Sequence, residues 1–277
     1  MRVHFLGTAA AEGIPALFCN CEYCKSAKMR GEVRSRAQVV LDCELSIDFP
    51  PDAFFHAARS GADFSALKYV LITHSHMDHF FAGDFVLRGY KYARNMTSPL
   101  LDIYANAETC EIFREVTRRE MKPEIGESIR LHEIKSFEKV TFGGWTVYPL
   151  KAKHSSKEPF VFLLEKDKKR VLHLHDTGLL PEEDYKFLSS LGGKKVDLIV
   201  FDCTFLWEKA DENARHMGLY ENEEVFARLK GIGLADNNTK RVITHFSHNA
   251  VPSAENLKKA ETEFGMIAAY DNLEITI

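Results

Sequence analysis

The chain has 277 residues, of which 45% are hydrophobic, and its 36 Lys and Arg against 40 Asp and Glu leave a formal charge of −4. That composition supports a sizeable core and gives no electrostatic footprint for nucleic acid. No apolar run approaches the length needed to span a membrane, and no repeat or linker divides the chain, so one domain over residues 1–277 is expected.

Met1-Arg2-Val3-His4-Phe5-Leu6-Gly7 reads as a first strand and lacks a signal-peptide core. The chain is therefore expected in the cytoplasm, where its six cysteines fit thiols or metal ligands better than disulfides. Further strands are expected at Ala37–Leu41, Leu45–Ile47, Tyr69–Ile72, Asp102–Tyr104, Lys139–Thr141, Trp145–Pro149, Phe160–Leu164 and Val171–Leu174. Later ones are expected at Leu198–Phe201, Arg241–Ile243, Met266–Ala269 and Leu273–Ile275. Gly143-Gly144 and Lys166-Asp167-Lys168-Lys169 read as hairpin turns. Helices are expected at Pro51–Ser60, Gly83–Tyr92, Ala107–Met121, Pro181–Leu191, Glu221–Gly231 and Ser253–Phe264. Asn106 is a good N-cap, Pro181 suits a first turn, and Gly192-Gly193 stops a helix. Early hairpins followed by strand–helix alternation, in two halves of similar size, suggest two sheets packed face to face with helices outside.

The chemistry concentrates in Thr73-His74-Ser75-His76-Met77-Asp78-His79, directly after the apolar run Tyr69-Val70-Leu71-Ile72. Three imidazoles and a carboxylate so close together are costly to bury unless a metal takes them up. In extended chain His74 and His76 point the same way and can share one ion. A turn at Met77 brings Asp78 and His79 round to a second. Partners for these ligands stand at other strand ends. His154 follows the strand ending near Leu150, Asp176 follows Leu172-His173-Leu174-His175, and His245 follows Arg241-Val242-Ile243-Thr244. His173 and His175 alternate with leucines and are expected behind the ligands or at the surface.

His74-x-His76-x-Asp78-His79, followed in order by His154, Asp176 and His245, resembles the metallo-β-lactamase superfamily over nearly the whole chain. The resemblance implies an αββα sandwich of two mixed sheets with a dinuclear site along one sheet edge. It implies that His74, His76 and His154 hold one divalent ion, zinc or manganese. Asp78, His79 and His245 would hold the other, with Asp176 and a hydroxide bridging them. Asp48, in Ser46-Ile47-Asp48-Phe49, matches an early acidic residue of the family and is expected to orient a ligand imidazole.

Phe18-Cys19-Asn20-Cys21-Glu22-Tyr23-Cys24 packs three cysteines into a Cys-x-Cys-x-x-Cys pattern. Three thiolates need a fourth ligand to close a tetrahedral zinc site, and His248, on the loop that carries His245, fits best. Cys43, Cys110 and Cys203 lie on apolar elements and are expected to be buried as small hydrophobes. This combination resembles one branch of the superfamily, the phosphoribosyl 1,2-cyclic phosphate phosphodiesterases. These carry a structural zinc on such a loop and a further His, which His216 matches.

The resemblance implies hydrolysis of a small, cyclic ribose-type phosphodiester. Two divalent ions would lower the pKa of a bound water, and Asp78 would orient the resulting hydroxide. His216 would protonate the leaving oxygen or bond a phosphate oxygen. The expected partner is a small phosphodiester, with no nucleic acid and no membrane, and a homodimer is compatible with this reading. The alternatives are hydrolysis of a lactone, thioester or β-lactam, or an accessory role in cofactor biosynthesis.

Overall fold

Asp167 and Lys168 have φ of 50° and 65°, and Gly143 and Gly144 have 50° and 84°. Two consecutive left-handed residues make the tight hairpin turn whose twist matches the flanking strands. In a computed structural model describing residues 1–277, these turns close hairpins of one of two seven-stranded sheets. The first sheet holds β1 (Arg2–Gly7), β2 (Gln38–Leu41), β3 (Leu45–Ile47), β4 (Tyr69–Leu71), β5 (Leu101–Ala105) and β6 (Ile129–Glu133). The second holds β7 (Val140–Phe142), β8 (Trp145–Lys151), β9 (Phe160–Lys166), β10 (Lys169–Leu174), β11 (Leu198–Asp202), β12 (Lys240–Thr244) and β13 (Ile267–Ala268). The last strand, β14 (Leu273–Thr276), returns to the edge of the first sheet beside β1.

Both sheets are mixed in the same way. Neighbours β14-β1-β2-β3 and β7-β8-β9-β10 pair antiparallel, while β3-β4-β5-β6 and β10-β11-β12-β13 pair parallel. Parallel neighbours need crossovers, and helices supply most of them. Ala53–Arg59 joins β3 to β4, and Ala107–Thr117 followed by the turn Pro123–Gly126 joins β5 to β6. Glu182–Ser190, Leu219–Gly231 and Ala254–Phe264 link the parallel strands of the second sheet.

The sandwich follows from strand alternation. Phe5, Leu41, Ile47 and Leu71 of the first sheet meet Trp145, Phe160, Phe162 and Val200 of the second in one core. The intervening residues face outward beneath the crossovers. Val70, Ile72 and Ile103 pack with Phe85, Cys110 and Phe113, and Leu172, Leu174 and Phe201 pack with Leu188, Val225 and Leu257. Burial on both faces explains why the central strands read as continuous apolar runs. The architecture is the expected αββα sandwich of two mixed sheets.

Local differences have physical causes. The helix expected over Gly83–Tyr92 is a 3₁₀ segment, Ala82–Leu87, because Phe81 offers no capping side chain and Gly83 and Gly89 weaken an α-helix. The cysteine segment is not all loop, since Glu22–Arg30 forms a helix capped by the Cys21 sulfur, which accepts from Cys24 N. Strand β6 carries Arg130, His132 and Glu133 on a half-exposed edge, so its sequence lacks an apolar run. Cys43 is exposed in the β2–β3 turn at φ 60°, whereas Cys110 and Cys203 are buried as expected. No helix is long and apolar enough to cross a membrane.

Candidate active site

In parallel sheets, chemistry collects outside the carboxyl ends of the strands. Here Asp48 follows β3, the His74–His79 run follows β4, and His154 follows β8. Asp176 follows β10, Asp202 ends β11, and His245 follows β12. Asp48, Asp176 and His245 have φ of 64°, 54° and 62°. Few residues with a side chain take up this region, and here each uses it to turn sharply off its strand. Thr73 O accepts from Phe160 N at 2.8 Å and ties the two sheets together beside the run.

The ligand-type atoms fall into two groups that share Asp176. His74, His76, His154 and Asp176 place ligand atoms within 4.8 Å of one another, and so do Asp78, His79, Asp176 and His245. Asp176 Oδ2 lies 3.3 Å from His74 Nε2, 3.0 Å from His79 Nε2 and 3.9 Å from His245 Nε2. Its Oδ1 lies 3.2 Å from His154 Nδ1.

The donor set fits metal ions, and the ring orientations show why. His74 Nδ1 lies 3.0 Å from Thr73 Oγ1, His79 Nδ1 lies 2.7 Å from Asp48 Oδ2, and His245 Nδ1 lies 2.8 Å from Thr204 Oγ1. Each ring is thus held by its Nδ1. The Nε2 atoms of all three are buried and lack a hydrogen-bond partner. An unpaired buried polar atom costs on the order of 1–3 kcal/mol. These unpaired nitrogens, one in the first group and two in the second, are what metal ions would satisfy. Burial, with the nearby His79, pushes His74 down to about 3, leaving the neutral imidazole that a metal requires.

His216 joins this cluster. Its Nδ1 lies 2.9 Å from Asp176 Oδ1 and 3.0 Å from Asp202 Oδ2. Burial opposes its charge, but the Asp202 and Asp176 carboxylates prevail and raise it to about 10. Asp202 was not singled out from the sequence. It also accepts from Thr204 N at 3.0 Å and from Met217 N at 3.0 Å. Its signal was the one that marked the candidate ligands, a polar residue following an apolar run, here Leu198-Ile199-Val200-Phe201-Asp202. His173 and His175 are both buried rather than at the surface, and the His175 ring stands 4.7 Å from that of His245. Burial drives His173 down to about 3.

A second cluster forms at the far side of the β12 exit loop. Ligand atoms of Cys19, Cys21, Cys24 and His248 lie within 4.8 Å of one another. His248 Nδ1 is 3.5 Å from Cys24 Sγ and 3.7 Å from Cys21 Sγ. Backbone N–H groups of Ala16 and Cys24 reach the Cys24 and Cys21 sulfurs at 3.4 Å. The Cys24 N–H bond at the helix start, with His248, lowers the Cys21 thiol to about 6. Ala10 N donates to Phe246 O at 3.0 Å, and Phe246 N to Thr8 O at 2.9 Å, so the N-terminal segment is tied beside His245.

No curated protein sequence matches the chain. Among solved structures, the Zn(2+)-bound PqqB from Methylobacterium extorquens superposes with a TM-score of 0.74 at 18% identity, covering 100% of both chains. A diphosphatase of the PhnP family gives 0.71 at 20% identity, over 99% of this chain and 97% of its own. The short form of human tRNase Z gives 0.71 at 17% identity, over 100% and 99%. These likenesses establish the fold. A beta-lactamase superfamily domain model matches residues 38–246, which span Asp48 to His245. With that match, and with the clustered His and Asp ligands, the chain belongs to the metallo-β-lactamase superfamily and is a metal-dependent hydrolase of that fold.

Proposed function

We propose that this chain is a dinuclear phosphodiesterase acting on small phosphodiesters, with cyclic ribose-type phosphates as the leading class. His74, His76 and His154 would hold one divalent ion, zinc or manganese, and Asp78, His79 and His245 the other, with Asp176 between them. Such a pair lowers the pKa of a bound water and offsets charge on phosphoryl oxygens. Asp48, Thr73 and Thr204 fix the imidazoles by their Nδ1 atoms, so the Nε2 atoms need no reorganisation to bind. Cys19, Cys21, Cys24 and His248 would close a separate structural zinc site, with no position left for substrate.

The observation that carries the reading is the placement of His216. Two carboxylates share its Nδ1, while its side chain is 26% exposed and its Nε2 makes no hydrogen bond within the protein. Asp202 holds Nδ1, and Nε2, with no partner in the protein, is free to donate a proton. A proton donor beside a dinuclear site suits a phosphodiester, whose leaving alkoxide must be protonated. The net charge of −4 suits a small substrate better than nucleic acid. The likeness to a PhnP-family diphosphatase agrees with hydrolysis at phosphorus.

The test is a panel of cyclic and linear phosphodiesters, with lactones and thioesters alongside, given to the metal-reconstituted protein. The expected result is turnover of phosphodiesters, and His216→Ala slowing those with poor leaving groups by roughly 10²–10⁴-fold. Turnover confined to lactones or thioesters, or a His216→Ala variant at full rate on an alkyl leaving group, overturns the proposal.

A further inference from the structure

His216 is delivered by the loop Asp211–Met217, and that loop leans on a glycine. Gly178 lies just past Asp176, where the chain leaves β10. A Cβ on Gly178 would fall well inside van der Waals contact of the Ala214 carbonyl oxygen, 3.1 Å from the carbonyl carbon and 3.3 Å from Lys153 Cδ. The φ of Gly178 lies outside the left-handed region, so the requirement is close approach and not backbone freedom.

Lys153 fastens the same contact from the other side. Its carbonyl accepts from Gly178 N at 3.1 Å, its N–H donates to Thr177 Oγ1 at 2.8 Å, and its Nζ donates to the Glu212 carbonyl. Further along the loop, Arg215 O lies 3.3 Å from His154 Nδ1. The turn that presents Asp176 and the loop that presents His216 are therefore one backbone-to-backbone assembly.

We infer that Gly178 is a positioning residue for His216: its missing side chain lets the Asp211–Met217 loop sit close enough for His216 to reach Asp176 and Asp202. This rests on the acid role assigned to His216 above. A methyl group at position 178 meets backbone, which cannot swing aside as a side chain can. The loop must move by about 1 Å, a displacement that can cost ~10²-fold in a reaction that depends on alignment. The 2.9 and 3.0 Å contacts of His216 Nδ1 are the ones that stretch.

The experiment uses the full-length, metal-reconstituted protein and aryl and alkyl phosphodiesters of graded leaving-group quality. Gly178→Ala is expected to slow turnover about 10–100-fold on alkyl leaving groups and little on nitrophenyl ones, with KM and metal content unchanged. Lys153→Met, which removes the tie to Glu212 without adding bulk, is expected to show the same pattern at a few-fold. Gly193→Ala, where nothing lies within 4 Å of the added carbon, is the control and should match the parent. In a His216→Ala background, Gly178→Ala should cause no further loss. Equal losses on every leaving group, or a full further loss in the His216→Ala background, overturn the inference while leaving the acid role standing. Absence of any leaving-group dependence in His216→Ala itself overturns the acid role and, with it, the inference.

Discussion

Asp48 Oδ2 lies 2.7 Å from His79 Nδ1, and Asp48 Oδ1 accepts from Thr73 N at 2.8 Å. The Thr73 hydroxyl, which donates to Asp48, stands 3.0 Å from His74 Nδ1. One buried carboxylate thus orients an imidazole from each of the two His/Asp groups, directly through His79 and by relay through Thr73 to His74. Asp48→Asn keeps the shape and suits the left-handed backbone at φ 64°, which Asn tolerates well. It removes the charge that fixes the His79 tautomer. Metal affinity is expected to fall about 10–100-fold with the fold retained. Chelator competition measures this, and an unchanged affinity would show that Asp48 serves only the fold.

Asp78→Ala should damage chemistry more than folding. Asp78 Oδ2 lies 3.0 Å from His79 Nε2 and 4.0 Å from His245 Nε2, inside the cluster. It sits beyond β4, outside the strand pairings that build the sheet. Activity is expected to drop by at least ~10²-fold, with the melting temperature of the metal-free protein within a few degrees of the parent. A large fall in that temperature would assign Asp78 to the fold.

The candidate ligand residues were legible because each stands at the exit of an apolar strand, where a His or Asp has little other reason to be. His74 to His79, His154, Asp176 and His245 share this signature, and the structure brings them together. Asp202 carries it too, but a lone aspartate with no neighbouring His stands out less. The glycine at 178 was not legible at all. Its role depends on a loop more than thirty residues away in sequence, and spacing says nothing about such an approach. The helix at Glu22–Arg30 was hidden because three cysteines and few apolar residues mask its amphipathic pattern, while Cys21 acts as its cap through sulfur, an unusual capping atom. The half-exposed β6 shows the same limit from the strand side.

Asp184 offers a pH dependence away from the metal ligands. It is fully buried in the helix Glu182–Ser190, and burial pushes its carboxyl up to about 7 despite the bond from Lys151 N at 3.1 Å. A carboxyl whose folded value exceeds its unfolded one contributes stability in full below about pH 4, and loses it as pH rises through about 7. The parent is expected to lose stability, on the order of a few kcal/mol, between about pH 4 and 7. Asp184→Asn, which cannot ionise, should flatten that part of the profile and be the more stable protein at pH 8. Urea midpoints across this range test it, and parallel profiles for the two proteins would exclude Asp184 as the cause.

The cysteine cluster leads to a prediction about both metal sites. Thiolates favour zinc over manganese, so protein loaded with manganese should still retain about one zinc per chain. Cys21→Ser removes the sulfur that both caps the helix and faces His248. That variant should lose the retained zinc under mild chelation. The loss should also reach the active site, by a specific route. His248 stands on the loop leaving β12, Phe246 is paired with Thr8 and Ala10, and His245 precedes them both. Releasing His248 from the thiolates loosens the short segment that holds His245 at its left-handed turn. The second active-site ion should therefore bind more weakly in Cys21→Ser, although no ligand of that ion has been changed. Elemental analysis combined with chelator titration separates the two effects. A variant that keeps as much zinc as the parent shows that the four residues do not form a closed site. One that loses zinc but keeps the affinity of the active-site ions shows that the closed site does not brace His245.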